Sequence, residues 1–183
     1  MQGECIRLAQ DFWIDVIPDT SNVAIKYVEI GVFCGFNLVS VGHTFGSHPD
    51  SKLYAIDPWS NYEGYNEFLE TQDYNYRCYK NNIKVGNIEE KVVELRGFSH
   101  EIMPKFDDNF FDIVYVDGSH QYDFVVIDCK LAAQKVKSGG YIIVDDTNHP
   151  PIIKATEVVF NDPTSNIKFV ADIQGCQRVF KKE

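Results

Sequence analysis

The strongest constraint in this chain is an alternation. Short apolar, β-branched runs recur, each closing on a turn with an acidic residue or glycine, and longer helix-compatible stretches separate them. The runs are Lys26–Gly31 (KYVEIG), Lys52–Asp57 (KLYAID), Val92–Arg96 (VVELR), Phe111–Asp117 (FDIVYVD) and Tyr141–Asp145 (YIIVD). Helices are predicted over Gly35–Phe45, Asn66–Val85, Ser99–Met103, Gln121–Val136 and Pro150–Phe160, with Gly139-Gly140 ending the fourth. In that fourth helix Val125, Val126, Cys129, Ala132, Ala133 and Val136 fall near one face. Ile167–Ile173 and Cys176–Lys181 read as a hairpin turned at Gln174-Gly175. Such alternation specifies a parallel sheet covered by helices. The expectation is therefore an α/β fold: a doubly wound, Rossmann-like, seven-stranded sheet. It is mostly parallel, with a C-terminal antiparallel hairpin and helices on both faces.

No repeat or linker divides the chain, and 183 residues suit one domain, 1–183. The 27 acidic against 17 basic residues, net charge -10, argue against a nucleic-acid partner, which a basic patch would serve. They suit a small neutral or cationic ligand. No apolar run approaches the ~20 residues of a membrane span, and Met1–Gln10 lacks the basic start and apolar run of a signal peptide. Cys5, Cys34, Cys78, Cys129 and Cys176 are odd in number, widely spaced and without a C-x-x-C pair. They read as reduced thiols of a cytoplasmic protein, Cys34 as core filler rather than nucleophile.

In doubly wound sheets ligands sit outside the carboxyl ends of the strands. The first strand ends in E-x-G-x-x-x-G, with Glu29, Gly31 and Gly35. Glu29 stands where a dinucleotide fingerprint has its first glycine, and a carboxylate there repels a pyrophosphate. It suits a cofactor with a cationic end and no phosphates. Asp57 closes the second strand, where a ribose-hydroxyl acceptor is expected; a turn cap before Pro58 is the plainer role. Ser99 caps the short third helix or lies beside an adenine, and Phe98 contacts adenine or fills core. The fourth and fifth strands end in Asp117-Gly118-Ser119-His120 and Asp145-Asp146. In the usual strand order these ends are neighbours, and three unpaired carboxylates there repel one another. A hard divalent cation, Mg²⁺ or Mn²⁺, would relieve that repulsion, with His120 in reach as a general base.

Taken together, YVEIGVFCG, LYAIDPW, GFSHE, FDIVYVDGSHQYDFVVID and GGYIIVDDT resemble class I S-adenosylmethionine-dependent methyltransferases. They are most similar to the metal-dependent O-methyltransferases of natural-product sugars and polysaccharides. The resemblance spans roughly residues 23–181. It implies that Glu29, Gly31 and Gly35 form the floor under the methionine part and ribose of S-adenosylmethionine. It implies also that Asp57 binds the ribose, that Phe98, Ser99 and Asp117 lie along the cofactor, and that Asp117, Asp145 and Asp146 hold the metal. His120 would be the base and Asp117 its catalytic companion. The acceptor would be a hydroxyl of a small molecule or glycan. The fifth-strand pair is Asp-Asp where relatives also have Glu-Asp, and the lead before the first strand is short, as in a compact form or a domain of a longer protein. Oligomeric state is left open.

Aromatic residues crowd Trp59–Tyr79 (Trp59, Tyr62, Tyr65, Phe68, Tyr74, Tyr76, Tyr79). They suggest a flap or acceptor wall, or helix packing. Trp59 is the foremost substrate contact and His149 a second. The competing readings are a catechol-type O-methyltransferase, a nicotinamide-dependent oxidoreductase, disfavoured by E-x-G-x-x-x-G, and a non-catalytic cofactor-binding module.

Overall fold

The computed structural model describes residues 13–62, 70–162 and 164–183. Its strands are β1 (Lys26–Ile30), β2 (Lys52–Asp57), β3 (Val92–Arg96), β4 (Phe111–Val116), β5 (Val136–Val144), β6 (Ile167–Ile173) and β7 (Gln177–Lys182). Its helices are α1 (Phe36–His43), α2 (Gln72–Val85), α3 (Ser99–Ile102), α4 (Tyr122–Lys135) and α5 (Pro150–Phe160). The strands form one sheet in the order β3-β2-β1-β4-β5-β7-β6. β1 to β5 pair in parallel, and β7 runs antiparallel to both β5 and β6. Strand order reverses between β1 and β4, which opens a crevice there.

Side chains alternate across each strand, so the sheet has two apolar faces. Tyr27, Leu53, Ala55, Ile113, Tyr115 and Ile143 pack with Leu38 and Val41 of α1 and Tyr79 and Ile83 of α2. Val28, Ile30, Ile56, Val114 and Val116 pack with Val125 and Cys129 of α4 and Ile152 and Ala155 of α5. Helices therefore cover both faces, as the alternation required. Cys34, Cys78 and Cys129 are buried free thiols and Cys176 a half-buried one; Cys34 is core filler. Cys5 lies outside the described residues. The Gln174-Gly175 turn has φ 54° and 67° at its two residues, the left-handed pair a tight hairpin requires.

Two boundaries depart from expectation. Gly139-Gly140 does not end α4. The helix stops at Lys135 and β5 starts at once, pairing Val136 with Phe111 before its register shifts to Tyr141 opposite Ile113. The glycines accommodate that irregularity: Gly139 has φ +80°, and a Cβ on Gly140 would stand 2.7 Å from the Asp112 carbonyl oxygen. The second helix begins at Gln72, after a turn at Glu70-Thr71; the earlier part expected from Asn66 lies outside the described residues.

The end of β1 touches the end of β4. Gly31 has φ +84°, and a Cβ there would lie 1.9 Å from the Asp117 carbonyl oxygen. Gly31→Ala is expected to destabilise the fold by about 3 kcal/mol or more in urea unfolding. Gly139→Ala, with equally left-handed backbone but nothing within 4 Å, should cost only ~1 kcal/mol of strain.

Candidate active site

Above the carboxyl ends of β1 to β4 lies an open cleft, the place where ligands sit in doubly wound sheets. Its floor is Ile30-Gly31, Ile56-Asp57, Gly97–Ser99 and Asp117–Ser119, and Tyr62, Phe124 and Asp128 wall one side.

Asp57 organises the first two strand ends. Its Oδ2 accepts the N–H groups of Val32 and Phe33, each at 2.9 Å, and its Oδ1 accepts that of Trp59 at 2.7 Å. Burial raises its pKa, against the pull of these N–H groups and of Arg96. The cap role is thus present, in a carboxylate that also lines the cleft.

Three expected ligand contacts are placed differently. Trp59 is 1% exposed and does not face a substrate. Its ring stacks on Tyr79 at 4.5 Å and its indole N–H donates to the Phe33 carbonyl at 2.8 Å, because a left-handed turn (φ 40°) folds it inward. Of its aromatic neighbours, Tyr62 does line the cleft, while Tyr65 and Phe68 lie outside the described residues. Glu29 is 2% exposed and points into the α1/α2 layer, where it accepts from the Tyr27 hydroxyl at 2.6 Å and the Asn37 amide at 3.0 Å. Desolvation pushes its pKa up to about 8. It lies beneath the loop after β1 rather than on the cleft surface. Gly35 is the left-handed N-cap of α1, and a Cβ there would meet the Tyr79 ring at 2.9 Å.

At the β4/β5 end, ligand atoms of Asp117, His120 and Asp146 all lie within 4.8 Å of one another. His120 Nε2 stands 3.2 Å from Asp146 Oδ2. Asp117 is raised well above the usual carboxylate range by burial and then by the charges of Asp145, Asp146 and Glu29. Asp145, expected as a third metal ligand, is not in this group. Its Oδ2 accepts the Tyr115 hydroxyl and its Oδ1 the Asp146 backbone N–H at 2.8 Å. A buried relay enforces this. The Trp13 indole, a donor only, gives its N–H to Gln177 Oε1 at 2.9 Å. The Gln177 amide nitrogen therefore faces the Tyr115 oxygen, at 3.4 Å, and the Tyr115 proton is left for the carboxylate. His149 is exposed at the N-cap of α5, its ring centroid 5.6 Å from that of His120.

At the opposite end, Phe98 and Ser99 line the cleft. Ser99 does not cap α3, whose N-cap is Phe98 with no side-chain cap bond. Its hydroxyl donates instead to Oδ1 of Asp128, a residue the strand-end reading passed over. Asp128 is 3% exposed on α4, in the buried stripe with Val125, Cys129 and Ala132. Desolvation pushes its pKa up to about 7. An acid inside an apolar helical stripe (FVVIDCKLAA) was the available signal.

Both Glu29 and Asp128 hold protons in the folded state that the unfolded chain releases near pH 4. Their contribution to stability is full below pH 4 and is lost as pH rises through about 7 and 8. Stability should fall between about pH 4 and 8, and Glu29→Gln or Asp128→Asn should each flatten the slope by up to ~1.4 kcal/mol per pH unit in its own window, read by urea unfolding across pH. Tyr115→Phe strips a buried donor from Asp145 and an acceptor from Gln177. It should cost about 1–3 kcal/mol in the same assay.

Residues 28–147 match the model of the methyltransferase domain family. An uncharacterized protein of Acanthamoeba polyphaga mimivirus is 30% identical over 158 residues, covering 82% of this chain and 61% of the viral protein. The chain thus spans less than two thirds of that relative's length. Among solved structures, cofactor-bound Rv0187 from MTB is similar with a TM-score of 0.66 and 14% identity, over 88% of this chain and 74% of that one. The O-methyltransferase TomG from Streptomyces achromogenes, in complex with SAM, is similar with a TM-score of 0.64 and 15% identity, over 87% and 74%. At such identities the likeness is one of fold. Because the matched residues hold most of β1, all of β2 to β5 and every residue lining the cleft, the chain belongs to the class I S-adenosylmethionine-dependent methyltransferase family.

Proposed function

We propose that this chain is a divalent-metal-dependent O-methyltransferase of the cytoplasm. It transfers the methyl group of S-adenosylmethionine to a hydroxyl of a sugar or glycan. The observation that carries this reading is the convergence of Asp117, His120 and Asp146 at one end of a cleft whose other end is aromatic. The O-methyltransferase fold of TomG, in complex with SAM, supports it. Among the described residues no helix is long and apolar enough to cross a membrane.

The residues present fit both groups. Asp57 keeps one of about four acceptor positions after binding three N–H groups, enough for a ribose hydroxyl. Gly31 lets the cofactor approach backbone, with Gly35 and Glu29 supporting the loop from below, and Phe98, Ser99 and Asp117 lie along the cleft. When bound, S-adenosylmethionine supplies an electrophilic methyl on a sulfonium. Walls carrying Asp57, Asp117 and Asp128 suit that cation and disfavour the pyrophosphate of a nicotinamide cofactor.

Asp117 is crowded by like charges, and a cation would relieve it. Asp117 and Asp146 would hold Mg²⁺ or Mn²⁺, with Asp145 bracing them through the Asp146 N–H. The metal supplies Lewis-acid polarisation of the acceptor hydroxyl. His120 Nε2 takes the hydroxyl proton, and the neighbouring Asp146 favours the resulting imidazolium. His149, on the open side, contacts the acceptor.

Titration calorimetry of S-adenosylhomocysteine into chelator-treated protein, then of Mg²⁺ or Mn²⁺, tests both groups. Cofactor-product binding and a separate metal event are expected. Asp117→Asn and Asp146→Asn should each weaken the metal at least ~10-fold. His120→Ala should keep metal and product affinity and lower turnover about 10²–10⁴-fold. Loss of metal affinity in His120→Ala would make His120 a ligand and overturn its role as base. Turnover of catechols but not glycosides would select the catechol-type acceptor.

A further inference from the structure

We propose that the groove between α5 and the β6–β7 hairpin binds a second part of the acceptor, a stretch of glycan beyond the sugar that receives the methyl group. The inference rests on the glycan reading above and deepens it: the acceptor is a chain of sugars rather than a single one.

Five residues line this groove: Glu157 and Asn161 beside α5, Phe169 from β6, and Arg178 and Phe180 from β7. Phe169 is 56% exposed, and its ring stands edge-on to Phe180 with centroids 5.9 Å apart. It presents a flat apolar surface that the fold leaves open to water. The polar groups around it are incompletely answered. Arg178 Nε is buried and has no hydrogen bond among the described residues; Asp172 Oδ2, 3.6 Å away, is too far to accept one. Arg178 Nη1 reaches Glu157 Oε1 at 3.3 Å, the long end of the range. Glu157 and Asn161 are exposed.

This chemistry selects the occupant. A buried guanidinium N–H needs an acceptor, a carboxylate needs a donor, and an amide needs one of each. A sugar hydroxyl is donor and acceptor at once. The C–H face of a sugar ring lies flat on an exposed aromatic ring and buries apolar surface against it. With Glu157 and Asp172 beside Arg178, the groove has no excess positive charge to select a phosphate or carboxylate. An apolar helix laid there would take water from these polar groups and give no partner in return.

The groove continues from the transfer site. His149, whose ring neighbours that of His120, is the N-cap of α5, and Asn161 is its C-cap. His149, Ile153, Glu157 and Asn161 recur at every fourth position and so form one row along the helix. At the α-helical rise that row is about 18 Å long, room for several linked sugars. Arg178 pairs with Val144, the residue before Asp145, so the guanidinium stands one strand from the acidic pair. A glycan with one hydroxyl at Asp117, His120 and Asp146 and its chain laid along this row reaches Phe169.

The test applies the full chain, loaded with S-adenosylhomocysteine and Mg²⁺, to an array of defined monosaccharides and of oligosaccharides that end in them. Sugars retained on the array are then titrated by calorimetry and assayed as methyl acceptors. An oligosaccharide is expected to bind at least about tenfold more tightly than its terminal monosaccharide. Phe169→Ala and Asn161→Ala, both at exposed positions, should each remove most of that gain, raising KM for the oligosaccharide with little change in kcat. Calorimetry of S-adenosylhomocysteine into each variant checks that the cleft is intact. Equal affinity for mono- and oligosaccharide, or a preference that both variants keep, overturns the inference and leaves the sugar acceptor standing. A concentration-dependent dimer that Phe169→Ala abolishes makes the groove a contact between two copies of this chain and likewise overturns it. Binding of no carbohydrate overturns the glycan reading and this inference with it.

Discussion

The carboxylate of Asp57 is the hinge on which the cleft depends. It closes β2, yet it accepts two N–H groups from the loop after β1 and one from its own turn. Left buried and unpaired, those amides would cost roughly 1–3 kcal/mol each. One acidic side chain answers all three, and Trp59 completes the clamp by donating its indole N–H to the carbonyl of Phe33. Phe33, held from both sides, stays in left-handed geometry (φ 51°) without being glycine. The loop is thereby fixed before any ligand arrives, and its shape follows from hydrogen bonds rather than from a third glycine.

A second constraint is electrostatic. The sheet brings Glu29, Asp57, Asp117, Asp128 and Asp145 toward one edge, and burial alone would protonate several of them. The protein handles them in different ways. Asp57 is stabilised by amides, Asp145 by a hydroxyl and an amide, Glu29 by Tyr27 and Asn37. Asp117 receives little of this: among the described residues its carboxylate has a 3.5 Å contact from the Tyr115 hydroxyl, whose closer partner is Asp145. The least compensated carboxylate is the one facing His120 and Asp146, where an incoming cation has most to gain.

The strands and their order were legible because period-two burial and chain order leave few arrangements of a parallel sheet. Lys52–Asp57 and Val92–Arg96 appear at the bounds their apolar runs marked. Side-chain direction was less legible. Trp59 follows a strand end in sequence, but its left-handed turn sends the ring into the core, and no local pattern encodes that choice. Asp145 and Asp146 are equivalent as letters. What separates them is Tyr115, thirty residues away, whose hydroxyl direction is set by Gln177 and Trp13. Asp128 was partly legible, as an acid at a buried helical position, but its partner Ser99 lies on another element. Gly139-Gly140 resembled a helix stop because that is the commoner use of the pair; here it serves a strand irregularity.

The Trp13–Gln177–Tyr115–Asp145 relay ties the sheet's topology to the orientation of the β5-end aspartates. Each member is polar where it touches the next and otherwise apolar or buried, so the chain of donors has one permitted direction. Trp13 precedes β1 and Gln177 opens β7, the strand that runs against all its neighbours. The antiparallel strand therefore does more than close the sheet. It carries an amide into the buried layer behind β4 and β5, and through Tyr115 determines which of two adjacent aspartates turns inward. Asp145 becomes the brace, and Asp146, with left-handed backbone (φ 52°), turns toward Asp117 and His120. Which of the two adjacent aspartates turns inward is thus decided by a hydrogen-bond direction that begins at the Trp13 indole, packed against Tyr115 in the same buried layer.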